Sequence, residues 1–139
     1  MELIRGQYNI RGHQRGCVAT IGNFDGVHLG HQAVIRQLLE KSKQLQLPAV
    51  VMVFEPQPIE FFSRSTPAGM KPRPAPPRIS RFREKLRLLE AQKIDKVLCL
   101  RFDQNLSRLS GQQFIQDILV DGLGVQHMIV GDGFRYGHK

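Results

Sequence analysis

The sequence predicts an α/β domain: an open, doubly wound parallel sheet with helices on both faces. Two observations predict it. Short apolar runs without polar alternation recur along the chain, as strands buried on both faces require. Between them lie helical stretches, and consecutive parallel strands joined through helices close by right-handed crossovers.

The elements follow in order. "CVATIG" (17–22) is a buried strand with a β-branched tilt. The glycine-rich "GNFDGVHLGH" (22–31) comes next. From His31 to Leu47 there is no Gly or Pro, and Val34, Ile35, Leu38, Leu39 and Leu45 recur mainly at three- and four-residue spacings. That is an amphipathic helix, beginning near Leu29 or Gly30 and stopped by Pro48. "AVVMVF" (49–54) is a second strand, so residues 17–54 make a βαβ unit. Residues 55–79 hold every proline except Pro48 and cannot sustain a helix or a central strand. An irregular insert of that length in a small domain is more often a functional flap than filler. Ser80 is a candidate N-cap for a helix to about Ala91, with Phe82, Leu86 and Leu89 inward and Arg81, Lys85 and Arg87 outward. "KVLCLRF" (96–102) is a third strand, Ser110 and Gln113 form a capping box for a helix over 111–120, and "QHMIVG" (126–131) is a fourth strand.

The totals bound the function. At 139 residues, 41% hydrophobic and 23% charged, the chain is one ordinary globular domain. No run approaches the roughly 20 apolar residues that cross a bilayer, and the N-terminus lacks the apolar core of a signal peptide. Cys17 and Cys99 fall inside strands and read as reduced core residues. The cytoplasm is the expected location. Twenty basic against twelve acidic residues leave a formal charge of +8, which attracts polyanions without choosing among them. Half of the basic residues lie between Lys71 and Arg101, on either a solvated helix face or an anion-facing flank.

In a doubly wound sheet, ligands sit beyond the carboxyl ends of the strands. Gly22–His31, Glu55–Ile79 and the loop from Gly131 onward all fall at that edge. Gly22 and Gly26 let the chain turn sharply and approach a ligand, and Gly30 clears space for an anion. The helix that starts there offers unpaired N–H groups and a positive dipole end. His28 and His31 add two imidazole donors from one side of the turn. The pattern suits a polyphosphate. It is neither the dinucleotide G-x-G-x-x-G nor a P-loop, since the glycines are spaced by four and no Gly-Lys-Ser/Thr appears. No metal site is expected, because neither cysteine is placed to complete a zinc set with the two histidines. A basic nucleic-acid module would leave the paired histidines without a task, and most of the phenylalanines lie in apolar runs.

These residues carry a family resemblance. Gly22 to His31 resembles the H-x-G-H signature of the nucleotidylyltransferase superfamily, in the form found in bacterial FAD synthetases. "VFEPQPIEFF" (53–62), "RISRFREKLRLL" (78–89) and "VGDGFRYG" (130–137) resemble successive landmarks of that family in the right order. The resemblance implies a Rossmann-like fold of the nucleotidylyltransferase type and transfer of AMP from ATP to FMN. The products are FAD and pyrophosphate, with Mg²⁺ held mainly by the nucleotide phosphates. It implies catalytic roles for His28 and His31 at the ATP phosphates. Gly22 (through its amide), Asn23, Phe24, Asp25, Gly26 and Gly30 would hold the nucleotide, Phe54, Pro56 and Pro58 would border the flavin, and Asp132 would lie on a loop around FMN. ATP and FMN or FAD are the partners it implies, not nucleic acid or membrane. A related enzyme with another phosphate acceptor is the alternative.

Family members usually carry a riboflavin kinase domain C-terminal to this one. The family's second nucleotide motif, Ile-Ser-Ser-Thr-x-x-Arg, does not occur here. The chain is therefore expected to be the adenylyltransferase part (1–139), C-terminally incomplete, of a longer bifunctional enzyme, with little activity alone.

Overall fold

The computed structural model describes residues 1–6, 10, 16–22, 24, 29–55 and 82–130. Among them five strands form one all-parallel sheet in the order β1-β4-β3-β2-β5. These are β1 (Glu2–Arg5), β2 (Cys17–Ile21), β3 (Ala49–Phe54), β4 (Lys96–Leu100) and β5 (Val125–Ile129). The helices are α1 (Leu29–Leu45), α2 (Phe82–Ala91), α3 (Gln104–Ser107) and α4 (Gly111–Phe114), the last continuing as π-helix over Ile115–Leu123. The expected doubly wound α/β architecture is present.

β2 and β3 are buried at every position, as their unbroken apolar runs dictate. Side chains alternate across the sheet. Cys17, Ala19 and Ile21 join Met52, Phe54, Leu98, Phe102, Phe114 and Leu123 on one face. Val18 joins Ile35, Leu38, Val51, Leu89 and Val97 on the other, under α1 and α2. The two cores come from the two faces of one sheet.

Helix α1 begins at Leu29, as expected, and stops at Leu45, short of Pro48. Gln46 there takes a left-handed φ of 54°. The Leu47 amide reaches back to Ser42 O at 3.1 Å and the Gln46 amide to Lys43 O at 3.4 Å, closing the last turn as a Schellman motif. The capping box forms as expected: Gln113 N donates to Ser110 Oγ at 3.1 Å, and Ser110 N donates to Gln113 Oε1 at 2.9 Å. Ser110→Ala should lower stability by about 1 kcal/mol in urea titrations without changing their slope.

Four features depart from the sequence reading, the first being the short helix α3, which it did not anticipate. β1 was not anticipated; it is an edge strand pairing with β4, with only Ile4 buried. The third helical stretch is wider than an α-helix, and Phe114, Ile118, Leu119 and Leu123 all bury their side chains. Gly124, at φ 63°, ends it. Lys85, expected outward, is fully buried. It shares a helix face with Phe82, Leu86 and Leu89 by its spacing, and packing prevails over charge.

Candidate functional site

The chain runs from β2 outward through β3 to β4, then returns to place β5 on the other side of β2. The strand order therefore reverses between β2 and β5. At such a switch the connections leave the sheet in opposite directions and open a crevice at the carboxyl ends. β2 enters the glycine-rich stretch at that crevice, and α1 starts at its far side.

The first turn of α1 is open. Leu29 is 82% exposed and Gly30 is exposed, and the turn has no acidic side chain to neutralise the positive end of the dipole. His31 is the third residue of the helix and is half-buried. Its ring lies against Phe24, with centroids 4.9 Å apart and planes inclined by 44°. Phe24 is 3% exposed and takes a left-handed φ of 51°. Its ring rests on Gly22, where an added Cβ would stand 3.0 Å from Phe24 Cε2.

Gly22 thus leaves room for the Phe24 ring through its missing side chain. Its amide, expected to reach the nucleotide, donates instead to Met52 O at 3.1 Å and extends the β2–β3 ladder. The Phe24 ring likewise faces the core under α1. Phe54, expected at the flavin, packs in the opposite core. It meets Phe102 edge-on at 5.4 Å and Phe114 at 6.4 Å. His28, Asn23, Asp25, Gly26, Pro56, Pro58 and Asp132 lie outside the described residues, as does the 56–79 part of the expected flap.

Two groups here escaped the sequence reading. Thr20, on the α1 side of β2 by strand alternation, is fully buried, and its hydroxyl has no hydrogen-bond partner among the described residues. A threonine among valines and alanines in a parallel strand carries no distinguishing signal. The second is the buried Lys85. It acts electrostatically on the Cys99 thiol, together with Glu55 just beyond β3 and Arg5 at the end of β1. The Arg5 guanidinium stands 5.6 Å over the Phe82 ring. Arg5 and Glu55 at the ends of β1 and β3, and Lys85 in the first turn of α2, therefore bring charge to the Cys99 thiol.

A groove of about 400 Å³ runs along β5 on the face opposite α1, lined by Ile21, Phe114, Ile115, Leu119, Met128 and Val130. Its lining is almost wholly apolar and suits no phosphate. Phosphates are held by hydrogen-bond donors, as at helix N-termini.

Both cysteines are free and buried. Burial raises the Cys17 thiol to about 11, against a small opposing pull from Lys96. Burial, reinforced by Glu55, also raises the Cys99 thiol, while Arg5 and Lys85 pull it down. Above the ordinary value of 9.0 the unfolded Cys17 releases a proton that the folded chain retains, which favours unfolding. The stability of wild type relative to Cys17→Ala should be constant below about pH 9 and decline between about pH 9 and 11, by up to about 2–3 kcal/mol. Urea titrations of both proteins across that range provide the check.

The reversed strand order and the acid-free first turn of α1 with its imidazole stand together in one doubly wound α/β domain. Comparison with known proteins gives its family. The FAD synthetase family profile matches residues 10–139, and the chain belongs to that family. A bifunctional riboflavin kinase/FMN adenylyltransferase from Pseudomonas fluorescens is 50% identical over 137 residues, covering 99% of this chain and 41% of that one. The Escherichia coli K12 protein of the same name is 49% identical over 138 residues, and the Haemophilus influenzae one 42% over 139. The chain thus spans about two fifths of the length of these relatives. A crystal structure described as a macrolide-efflux protein from Streptococcus pneumoniae superposes with a TM-score of 0.78 over 99% of this chain and 43% of its own, at 22% identity. That likeness bears on the fold alone. No helix among the described residues is long and apolar enough to cross a membrane.

Proposed function

We propose that this chain is the FMN adenylyltransferase domain of an FAD synthetase whose full-length form also phosphorylates riboflavin, and that it works in the cytoplasm. The observation that carries the reading is His31 in the first, acid-free turn of α1 at the strand-order reversal. The names of the most similar relatives support it.

The chemistry follows from that placement. ATP lays its phosphates across the mouth of α1, where the exposed amides of the first turn and the dipole meet negative charge. An oxygen of the FMN phosphate attacks the α-phosphorus in line. The bond from that phosphorus to the bridging oxygen breaks, and its electrons leave with pyrophosphate. His31, with His28 as its companion, donates hydrogen bonds to phosphate oxygens on which charge builds. No covalent enzyme intermediate is needed; positioning and electrostatic stabilisation suffice. Asn23, Asp25, Gly26 and Gly30 shape the nucleotide side, and Pro56, Pro58 and Asp132 the flavin side. Among the described residues no three of His, Cys, Asp and Glu gather to hold a cation. Mg²⁺, bound to the phosphates of ATP, would neutralise part of their charge.

The test is acceptor choice. The full-length protein is incubated with α-labelled ATP and, in turn, FMN, phosphopantetheine and glycerol phosphate. Label is expected in a flavin product with FMN alone. Efficient labelling of another acceptor, with none in FAD, would replace this reading with a different nucleotidylyltransferase.

A further inference from the structure

We propose that Phe24 is a positioning residue for adenylyl transfer: its ring, wedged between bare Gly22 and the imidazole of His31, fixes the direction in which that imidazole meets the phosphates. The proposal rests on the reading of His31 given above.

Backbone conformation supplies the first argument. A bulky residue in the left-handed region is strained by about 1–2 kcal/mol, and glycine occupies such positions freely. The stretch 22–31 contains three glycines, yet a phenylalanine stands at the residue with φ 51°. Strain that one glycine would relieve is retained, and what it secures is the placement of a ring.

Shape supplies the second. The ring lies close against bare Gly22; a Cβ there would approach Cε2 to 3.0 Å and Cδ2 to 3.3 Å, and the ring would have to shift by a few tenths of an ångström. Gly22 itself has no positive φ and is held in the ladder by its amide, so the sheet has no conformational need for glycine. Its smallness makes room for Phe24.

The third argument is the contact with His31. A centroid separation of 4.9 Å and a tilt of 44° form an aromatic pair on the inner side of the imidazole. The half-buried His31 is anchored to α1 by its backbone and to β2, through Phe24 and Gly22, by its ring. Two rigid elements then define its angle. Electrostatic catalysis depends on donors being oriented before charge develops, and displacements near 1 Å cost up to about a hundredfold in rate.

The test uses the full-length protein with Phe24→Leu and Gly22→Ala, alongside His31→Ala. Phe24→Leu removes the ring; Gly22→Ala keeps it and forces it off its seat. Either folded variant should move the His31 ring-proton resonances, through loss or change of the ring current from Phe24. Each should also lower kcat for FAD formation by about tenfold while KM for ATP stays within about twofold. A purely structural role would lower the thermal midpoint and leave kcat of the folded enzyme alone, even though loss of the ring current shifts the His31 resonances. If Phe24→Leu does not fold, Gly22→Ala decides by the same two measurements. Moved resonances with unchanged kcat, or unmoved resonances, overturn the proposal. An unaltered His31→Ala enzyme would instead overturn the parent reading of the site.

Discussion

Replacing His31 with alanine in the full-length protein is expected to lower FAD formation from FMN and ATP by ten- to hundredfold. The expectation rests on where the imidazole sits. It sits in the first turn of α1, packed on the Phe24 ring, and that turn carries no acidic side chain. Each tenfold corresponds to about 1.4 kcal/mol of transition-state stabilisation, the scale of one or two hydrogen bonds to developing charge. His28→Ala should behave in the same way, on the motif's spacing. Riboflavin phosphorylation, measured on the same preparations, should be unaffected by either change. That control separates loss of the phosphate site from loss of folded protein. A normal FAD yield from the His31 variant would mean that the phosphates do not rest at the start of α1.

The largest expected effect on stability comes from Phe54→Ala. Phe54 is 1% exposed at the end of the central strand β3, between Phe102 after β4 and Phe114 in α4. Removing its ring forfeits burial and two aromatic contacts, and it leaves a cavity that a sheet flanked on both sides cannot close. The cost should be about 3–5 kcal/mol, read as a shift of the urea midpoint at nearly constant slope. An effect below about 1 kcal/mol would place the ring outside the core.

Fold and site were legible to different degrees. β2 and β3 are central parallel strands, and their continuous apolar runs announce burial on both faces. The capping box at Ser110 and Gln113 is a local signal and formed as read. β1 has no such signal: an edge strand needs few apolar residues, and Glu2 and Arg5 mask the one that is buried. Lys85 shows the limit of reading by charge. Its spacing from Phe82 and Leu89 placed it inward, and its ammonium argued for solvent. The crevice was legible as a convergence of loops on one sheet edge, because topology alone dictates it. The division of labour inside the crevice was not. Nothing in "GNF" reveals that the Gly22 amide is committed to Met52 or that the Phe24 ring turns inward beneath His31. Those outcomes depend on the register of β2 against β3 and on a left-handed backbone angle, neither of which is written in residue type.

The most direct test of the account is a crystal structure of this domain with a non-hydrolysable ATP analogue. The triphosphate should lie over the first turn of α1, within hydrogen-bond distance of the Gly30 amide and the His31 imidazole. A triphosphate bound elsewhere, with the start of α1 empty and His31 making no contact to it, would contradict the account.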